Sequence, residues 1–170
     1  MMALSPYAQE ILDAAMQWMD SLYNEAAGLL VQPGDSSDRS TWPSPPRHMV
    51  RDSTYYALGL LMRAAPGDQA RAERLLHAIL DLQIDEPEAP YHGTFLRYLE
   101  EPRPTTPGAR EWRDYDPNWR DFIGTGFALI LTHFEEQLAV DLCSEWTTHY
   151  ARRWLALWRV ILTQVTPISR

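Results

Sequence analysis

The amino-acid sequence predicts an all-α protein of about five helices, stacked as antiparallel α-hairpins in two layers. Apolar residues recur at three- and four-residue steps over long stretches, which is the period of a helix. Stretches with one wet face alternate along the chain with stretches that are apolar nearly all round, so outer amphipathic helices should cover inner buried ones. The 170 residues can form one domain with a substantial core. We therefore expect a single helical domain over residues 1–170.

The first three helices are predicted at residues 6–30, 48–64 and 69–83. Ser5 suits the N-cap of the first, with Pro6 at the first helical position, where its missing N–H costs nothing. The first and third helices each have one wet face, whereas the second is apolar nearly all round and should be buried. Asp68 stands where it can cap the third helix.

Two more helices follow a second long, proline-rich loop at residues 84–117; the first such loop covers residues 31–47. The fourth helix begins near Asn118, with Asp116-Pro117 as its cap and first residue. Gly126 lies inside this apolar helix and should permit close packing against a neighbour. The fifth helix, residues 140–165, repeats large aromatics every four residues, at Trp146, Tyr150, Trp154 and Trp158.

Composition excludes several classes of function. The net charge is −8, which argues against nucleic acid as a partner, and all 15 basic residues are arginine. Without lysine the chain has neither a Schiff-base amine nor the lysine of a phosphate-binding loop. The single cysteine, Cys143, excludes a disulfide framework, and the five histidines lack metal-ligand spacing, so we expect no metal and no cofactor. With no signal peptide and no apolar run of roughly 20 residues, a cytoplasmic protein without a membrane partner is expected.

The densest chemistry lies in residues 112–121, where three aspartates stand among aromatics and arginines. A carboxylate near tryptophan can have its pKa raised and act as a general acid, and glycoside hydrolysis uses a pair of carboxylates. Asp116 is expected to cap the fourth helix, so Asp114 is the better catalytic candidate, although Arg113 or Arg120 could simply pair with Asp114. The polar and aromatic residues around it would bind substrate: Trp112, Tyr115, Asn118 and Trp119.

Two further segments supply candidates. His92 lies in a glycine-containing loop, where it could act as acid or base or only satisfy a loop carbonyl. At the start of the second predicted helix, which should be buried, His48, Asp52 and Tyr55 fall three or four residues apart and should share one helix face. Asp52 would assist catalysis and its neighbours would bind substrate, namely His48, Arg51, Tyr55 and Tyr56; the alternative is a salt bridge at the helix start and tyrosines in the core.

Three short motifs carry a family resemblance: His-Met-Val-Arg-Asp-Ser-Thr-Tyr-Tyr-Ala-Leu-Gly at 48–59, Tyr-His-Gly-Thr-Phe at 91–95 and Asp-Tyr-Asp-Pro-Asn-Trp-Arg at 114–120. Over residues 6–140 the chain resembles the N-terminal part of uncharacterised fungal and bacterial (α/α)-toroid proteins of secondary metabolism, in the six-hairpin glycosidase-like superfamily. A full toroid has six hairpins and this chain supplies about two and a half, so the resemblance implies a partial, truncated ring. Its apolar flank would be covered by the divergent segment 141–170 or by another copy, which makes a homo-oligomer an expected partner.

Three functions stay open. The resemblance implies a hydrolase- or lyase-like enzyme for a sugar or polyol, with Asp114 as general acid and His92 or Asp52 assisting. A dehydratase or cyclase of terpenoid or polyketide metabolism would use the same acids on an apolar small molecule. The third option is a non-catalytic truncated remnant or an oligomerising helical protein. The first needs a wet cavity with many donors, the second a dry aromatic one, and both need Asp52, His92 and Asp114 to converge.

Overall fold

The computed structural model describes residues 4–32, 46–105 and 107–146. The predicted aromatic stripe beyond Trp146 therefore lies outside the described residues. In chain order the elements are α1 (Pro6–Leu22), β1 (Tyr23–Asn24), β2 (Leu29–Gln32), β3 (Arg47–Met49), α2 (Val50–Arg63), α3 (Asp68–Leu80), α4 (Trp119–Phe134), a 3₁₀ turn (Glu135–Gln137) and α5 (Val140–Trp146).

The expectation of an all-α protein is wrong, because the fold is mixed α/β. The strands form an antiparallel sheet in the order β1-β2-β3, with Tyr23 opposite Leu30 and Leu30 opposite Met49. The outer edge of β3 is also engaged, since the Leu99 amide donates to the His48 carbonyl and the Val50 amide donates to the Arg97 carbonyl. Short strands such as these leave too few residues for an alternating pattern to be read from sequence.

The first predicted helix was too long, and local hydrogen bonds explain where it ends. Ser5 caps its start as predicted, with Oγ accepting the Ala8 amide at 3.2 Å. Beyond Leu22, the Asn24 side-chain oxygen accepts the amides of Ala26 and Ala27 at 2.9 and 3.0 Å. An asparagine side chain that binds its own turn in this way offers the backbone an alternative to the helix. The chain then reverses at Gly28, whose φ of +66° favours glycine.

The second helix begins at Val50, so His48 belongs to β3 and shares no helix face with Asp52 and Tyr55. That correction follows from the pairing of β3 with β2. Ser53 joins the two elements: its buried hydroxyl donates to the Met49 carbonyl at 2.5 Å and accepts the Leu30 amide at 2.9 Å. The sheet is thereby fixed to the first turn of α2.

Helix α2 is the central element and packs against α1, α3 and α4. Gly126 allows the close approach of α4 that the sequence predicted, because a Cβ there would lie 2.5 Å from Thr54 Cγ2. On the other side of α2, a Cβ at Gly59 would lie 2.4 Å from the Met16 sulfur of α1. These two contacts bring flanking helices close to α2, as small residues at helix crossings do.

Helix α5 closes one end of this core. The Trp146 indole stacks on the Phe127 ring of α4, with centroids 4.1 Å apart and planes at 3°. On the opposite side of α4, Phe122 and Leu129 remain exposed, together with Tyr55 of α2. The described residues therefore leave an apolar flank on α2 and α4, and whether another segment or copy covers it stays a prediction. In the described ranges we find no helix with the length and apolar character that a bilayer crossing requires.

Candidate functional site

Asp114 is held in a tight turn by its neighbours. Its carboxylate accepts hydrogen bonds from Arg113 Nε at 2.9 Å and from Arg113 Nη2 at 2.5 Å, so the two side chains form a bidentate pair. The Arg110 amide also donates to Asp114 Oδ2 at 2.9 Å, while the Asp114 amide donates back to the Arg110 carbonyl at 2.8 Å. Asp114 therefore pairs with Arg113, which is the structural alternative to a catalytic role.

These bonds set the charge of the Asp114 carboxyl. The hydrogen bond from Arg113, supported by the Arg110 amide, lowers the pKa of Asp114 below its ordinary value. A general acid needs the opposite shift, because it must hold its proton near neutral pH. In this conformation Asp114 is an ionised acceptor of hydrogen bonds.

The turn that carries Asp114 has an unusual backbone. Trp112 adopts φ +67°, a left-handed conformation that bulky residues rarely take, and its indole is 59% exposed. The turn is closed by the Trp112 amide, which donates to the Tyr115 carbonyl at 2.7 Å. Backbone strain of this kind concentrates at binding and catalytic sites.

A cleft opens beside this turn, between residues 97–105 and 107–114. It consists of two adjoining cavities of about 430 and about 510 Å³, which share Arg97, Glu101 and Pro102 in their walls. The first cavity reaches Asp114 and the second reaches Arg47. Their volumes lie in the range of roughly 300–1,000 Å³ that is usual for small-molecule sites.

The wall shared by the two cavities is an ion pair. Glu101 accepts the Arg97 amide and Arg97 Nε, each at 2.6 Å, and also accepts the terminal Nη2. The same Nη2 donates to the Arg113 carbonyl at 3.2 Å, which ties the two turns of the cleft together. The hydrogen bond to Glu101 raises the pKa of Arg97, so the guanidinium stays charged.

His48 supports the far side of the cleft from β3. Its Nδ1 lies 2.5 Å from Glu100 Oε1, and its amide donates to Glu100 Oε2 at 3.1 Å. Burial acts to raise the pKa of Glu100, but the bonds from His48 outweigh burial and lower it. Glu100 lines the larger cavity, so His48 positions a cleft residue.

The other candidates on α2 and α4 form a separate, partly exposed cluster. The Arg51 guanidinium lies over the Trp119 ring at 5.5 Å and over the Phe122 ring at 5.8 Å. Asp52 accepts Arg51 Nε at 3.3 Å, and the Tyr55 hydroxyl donates to the Phe122 carbonyl at 3.3 Å. The structure thus brings Arg51, Asp52, Tyr55 and Trp119 together, but at the outer ends of two helices.

His92 belongs to a third place in the fold. Its carbonyl accepts Arg120 Nη2 at 2.7 Å, and its Nδ1 lies 3.5 Å from Asp85 Oδ1. Next to it, the Tyr91 ring packs at 5.4 Å on the ring of buried Tyr115. Of the three acid–base candidates, Asp114 lines the cleft, whereas neither Asp52 nor His92 contributes to its walls.

The predicted cap of α4 is wrong: the helix begins at Trp119 with Asn118 at the N-cap, and no side chain caps it, so Asp116 and Pro117 belong to the turn before the helix. Asp116 Oδ1 accepts the Asn118 amide at 2.9 Å, and the Asp116 carbonyl accepts the Trp119 amide. The exposed Asn118 is thus part of the helix entry. Asp68 likewise makes no side-chain bond to the first turn of α3, so its predicted cap is wrong.

Asp68 instead belongs to an acid–arginine network that sequence reasoning missed, formed by Asp20, Tyr56, Arg63, Asp68 and Arg71. Arg63 donates to both oxygens of Asp68 at 2.8 Å and to Asp20 at 2.6 Å. The Tyr56 hydroxyl donates to Asp20 at 2.5 Å and accepts Arg71 Nη1 at 3.1 Å. Tyr56 is therefore turned into this network and away from the Tyr55 cluster.

Burial and the Asp20 carboxylate raise the pKa of Tyr56 to about 12. The hydrogen bond from Arg63 lowers the pKa of Asp20. The pKa of Asp68 is also lowered, because Arg63 and the Ala65 amide outweigh its burial. With every acid paired, this network is a structural joint between α1, α2 and α3.

Within the described ranges no three histidines, cysteines or carboxylates are grouped as a metal would require. The fold and the site together define a small α/β domain, centred on one buried helix, with a charged cleft formed by its loops.

A family model described as "Domain of unknown function (DUF8769)" matches residues 9–151, so the chain belongs to this family. No curated protein and no solved structure matches the chain.

Proposed function

We propose that this chain binds a sugar or polyol in the cleft between residues 97–105 and 107–114. The observation that carries the proposal is the presence of two ion pairs, Arg97–Glu101 and Arg113–Asp114, in the walls of the cleft. A dehydratase or cyclase acting on an apolar substrate would need a dry aromatic cavity. The cleft lining therefore supports the sugar or polyol class.

The chemistry of a polyol fits such a wall. Every hydroxyl of a polyol both donates and accepts a hydrogen bond, and each ion pair offers N–H donors beside carboxylate acceptors. Bonds to charged partners are stronger than neutral ones, so a few of them orient a small ligand. The lowered pKa of Asp114 keeps its carboxylate available as an acceptor at neutral pH.

The indole of Trp112 is exposed next to the cleft residue Arg113, although it does not line the cleft itself. Sugar rings carry apolar C–H faces, and an aromatic side chain with a large free surface can pack against them. Trp112 precedes Arg113 and Asp114 in a turn held by the Trp112–Tyr115 hydrogen bond. This arrangement supports binding, and it does not supply the proton donor that hydrolysis would need.

Nuclear magnetic resonance titration tests the proposal on the full chain. Xylitol, glucose and glucuronate are the polar probes, and geraniol is the apolar probe. We expect the polar probes to shift backbone amide signals of residues 97–114, with dissociation constants on the order of millimolar because the ligands are small. Geraniol should leave these signals unchanged.

Asp114→Asn keeps the shape of the side chain and removes its charge, so it should weaken polyol binding about tenfold. Asp13→Asn on the exposed surface of α1 removes the same charge far from the cleft and serves as the matched control. The proposal is wrong if no polar probe shifts the cleft signals, or if both variants bind as the unaltered protein does.

A further inference from the structure

Helix α1 carries a row of exposed apolar side chains along the whole of its length. Tyr7 is 74% exposed, Trp18 59%, Ile11 53%, and Leu4, just before the helix, 37%. The exposed Ala14 completes the row. Positions 4, 7, 11, 14 and 18 alternate steps of three and four, which is the seam of a coiled coil. We call this row the α1 stripe.

The α1 stripe is separate from the face of the same helix that packs on the protein core. Met16 is fully buried against Gly59 of α2, and Leu12 and Met19 are partly buried against the core. Helix α1 therefore has two apolar faces, and only one is used inside the described part of the chain. Contiguous apolar surface of this kind marks an interaction site in a folded protein.

The charges on α1 indicate which class of partner suits the stripe. Glu10, Asp13 and Asp20 are its only charged residues, and none of them lies on the stripe. A helix that binds the surface of an anionic membrane needs basic residues beside its apolar face, and α1 has none. A protein helix with an apolar seam is the better match.

We propose that the α1 stripe pairs with the α1 stripe of a second copy of this chain, in antiparallel orientation. In an antiparallel pair whose seam positions face each other, Tyr7 lies opposite the second copy's position 18 and Ile11 opposite its position 14. The aromatic Tyr7 of one copy then meets the tryptophan at position 18 of the other, and the large Ile11 meets the alanine at position 14. Twofold symmetry repeats both contacts, so the surface is complementary to itself.

The residues beside the seam agree with this orientation. Glu10 lies opposite position 17 of the second copy, which is glutamine, so a carboxylate meets an amide donor instead of another acid. On the other side, Ala8 lies opposite position 15, which is also alanine, and small residues there let the helices approach. A parallel pair would instead place Trp18 on Trp18 and Ala14 on Ala14, which crowds one layer and leaves another empty.

Analytical ultracentrifugation of the full chain over a hundredfold concentration range tests self-association. We expect a monomer–dimer equilibrium with a dissociation constant on the order of micromolar, since the interface is a single helix face. Ile11→Asp places a charge in the seam of both copies and should raise that constant by about 100-fold. Val140→Asp removes a more exposed apolar side chain elsewhere and should leave the equilibrium unchanged.

Cysteine cross-linking tests the orientation in a Cys143→Ser background. When Glu10→Cys and Gln17→Cys proteins with different tags are mixed and oxidised, the antiparallel pair predicts the mixed disulfide dimer as the main product. The proposal is overturned if the protein stays monomeric at all concentrations. That is also the result expected if another segment of the chain covers the α1 stripe. A dimer that Ile11→Asp does not weaken, or that gives no mixed disulfide, overturns it equally.

Discussion

The acid–arginine network allows a quantitative test of how α1, α2 and α3 are held together. Asp68 is 4% exposed, and both of its oxygens bind Arg63 at 2.8 Å, with a further bond from the Ala65 amide at 2.9 Å. Asp68→Asn keeps one acceptor oxygen but removes the charge and one of the two bonds to Arg63. A hydrogen bond to a charged group contributes about 1.5–3 kcal/mol. The loss of part of the electrostatic attraction between Asp68 and Arg63 adds to this cost. We therefore expect the substitution to lower the free energy of unfolding by about 2–4 kcal/mol.

The assay is urea unfolding followed by tryptophan fluorescence, repeated at several pH values. The pKa of Asp68 is lowered in the folded state, so the carboxylate stabilises the protein above its unfolded pKa, near 3.8, and this contribution disappears as the pH falls through the lower folded pKa. The difference between the unaltered protein and Asp68→Asn should be full at neutral pH and shrink in the acid range below the unfolded pKa.

Asp81→Asn is the matched control, since Asp81 directly follows α3 and is exposed. Its effect should stay within about 0.5 kcal/mol at any pH. Two results would refute the reasoning: a loss below about 1 kcal/mol for Asp68→Asn, which is less than a single such bond contributes, or a loss that does not change with pH.

Three further substitutions test other contacts. Gly126→Ala forces a methyl group against Thr54 and should cost about 1–3 kcal/mol, measured as a lower Tm by calorimetry; an unchanged Tm would show that α2 and α4 are not in close contact. Tyr56→Phe removes the hydroxyl that joins the acid–arginine network and should cost about 1–2 kcal/mol in urea unfolding, and a neutral effect would mean that this hydroxyl is not bonded in solution. Trp146→Ala removes the ring stacked on Phe127 and should cost about 3–5 kcal/mol, whereas a loss under about 1 kcal/mol would mean that α5 is not docked.

The helices could be predicted from sequence because their signals are local. Apolar periodicity located α2, α3 and α4 to within a few residues, and Ser5 marked the start of α1. The strands could not be predicted in the same way, because the pairing of β2 with β3 depends on residues far apart in sequence. The only local sign was Asn24 before Gly28, a turn signal that helix periodicity concealed.

The candidate site was predicted less well, for a related reason. The sequence suggested Asp114 as a general acid, with pairing to Arg113 or Arg120 as the alternative. The hydrogen bond from Arg113, supported by the Arg110 amide, lowers the pKa of Asp114, and the fold of such a turn cannot be read from residue types. The acid–arginine network was missed altogether. In the sequence, Asp20 is one of several acids on the polar face of α1, and nothing there indicates that its partner is Arg63 on another helix. Their contact is a product of the packing of α1 on α2.

The Ser53 hydroxyl has a consequence for how the protein opens. Because this hydroxyl accepts the Leu30 amide, β2 can separate from α2 only when the buried Leu30 N–H and the buried Ser53 oxygen lose each other as partners. The sheet and the central helix should therefore exchange their amide hydrogens as one cooperative unit, although the strands are short enough to suggest fraying. The Leu30 amide is then a reporter, in hydrogen–deuterium exchange, of the opening that separates the sheet from α2.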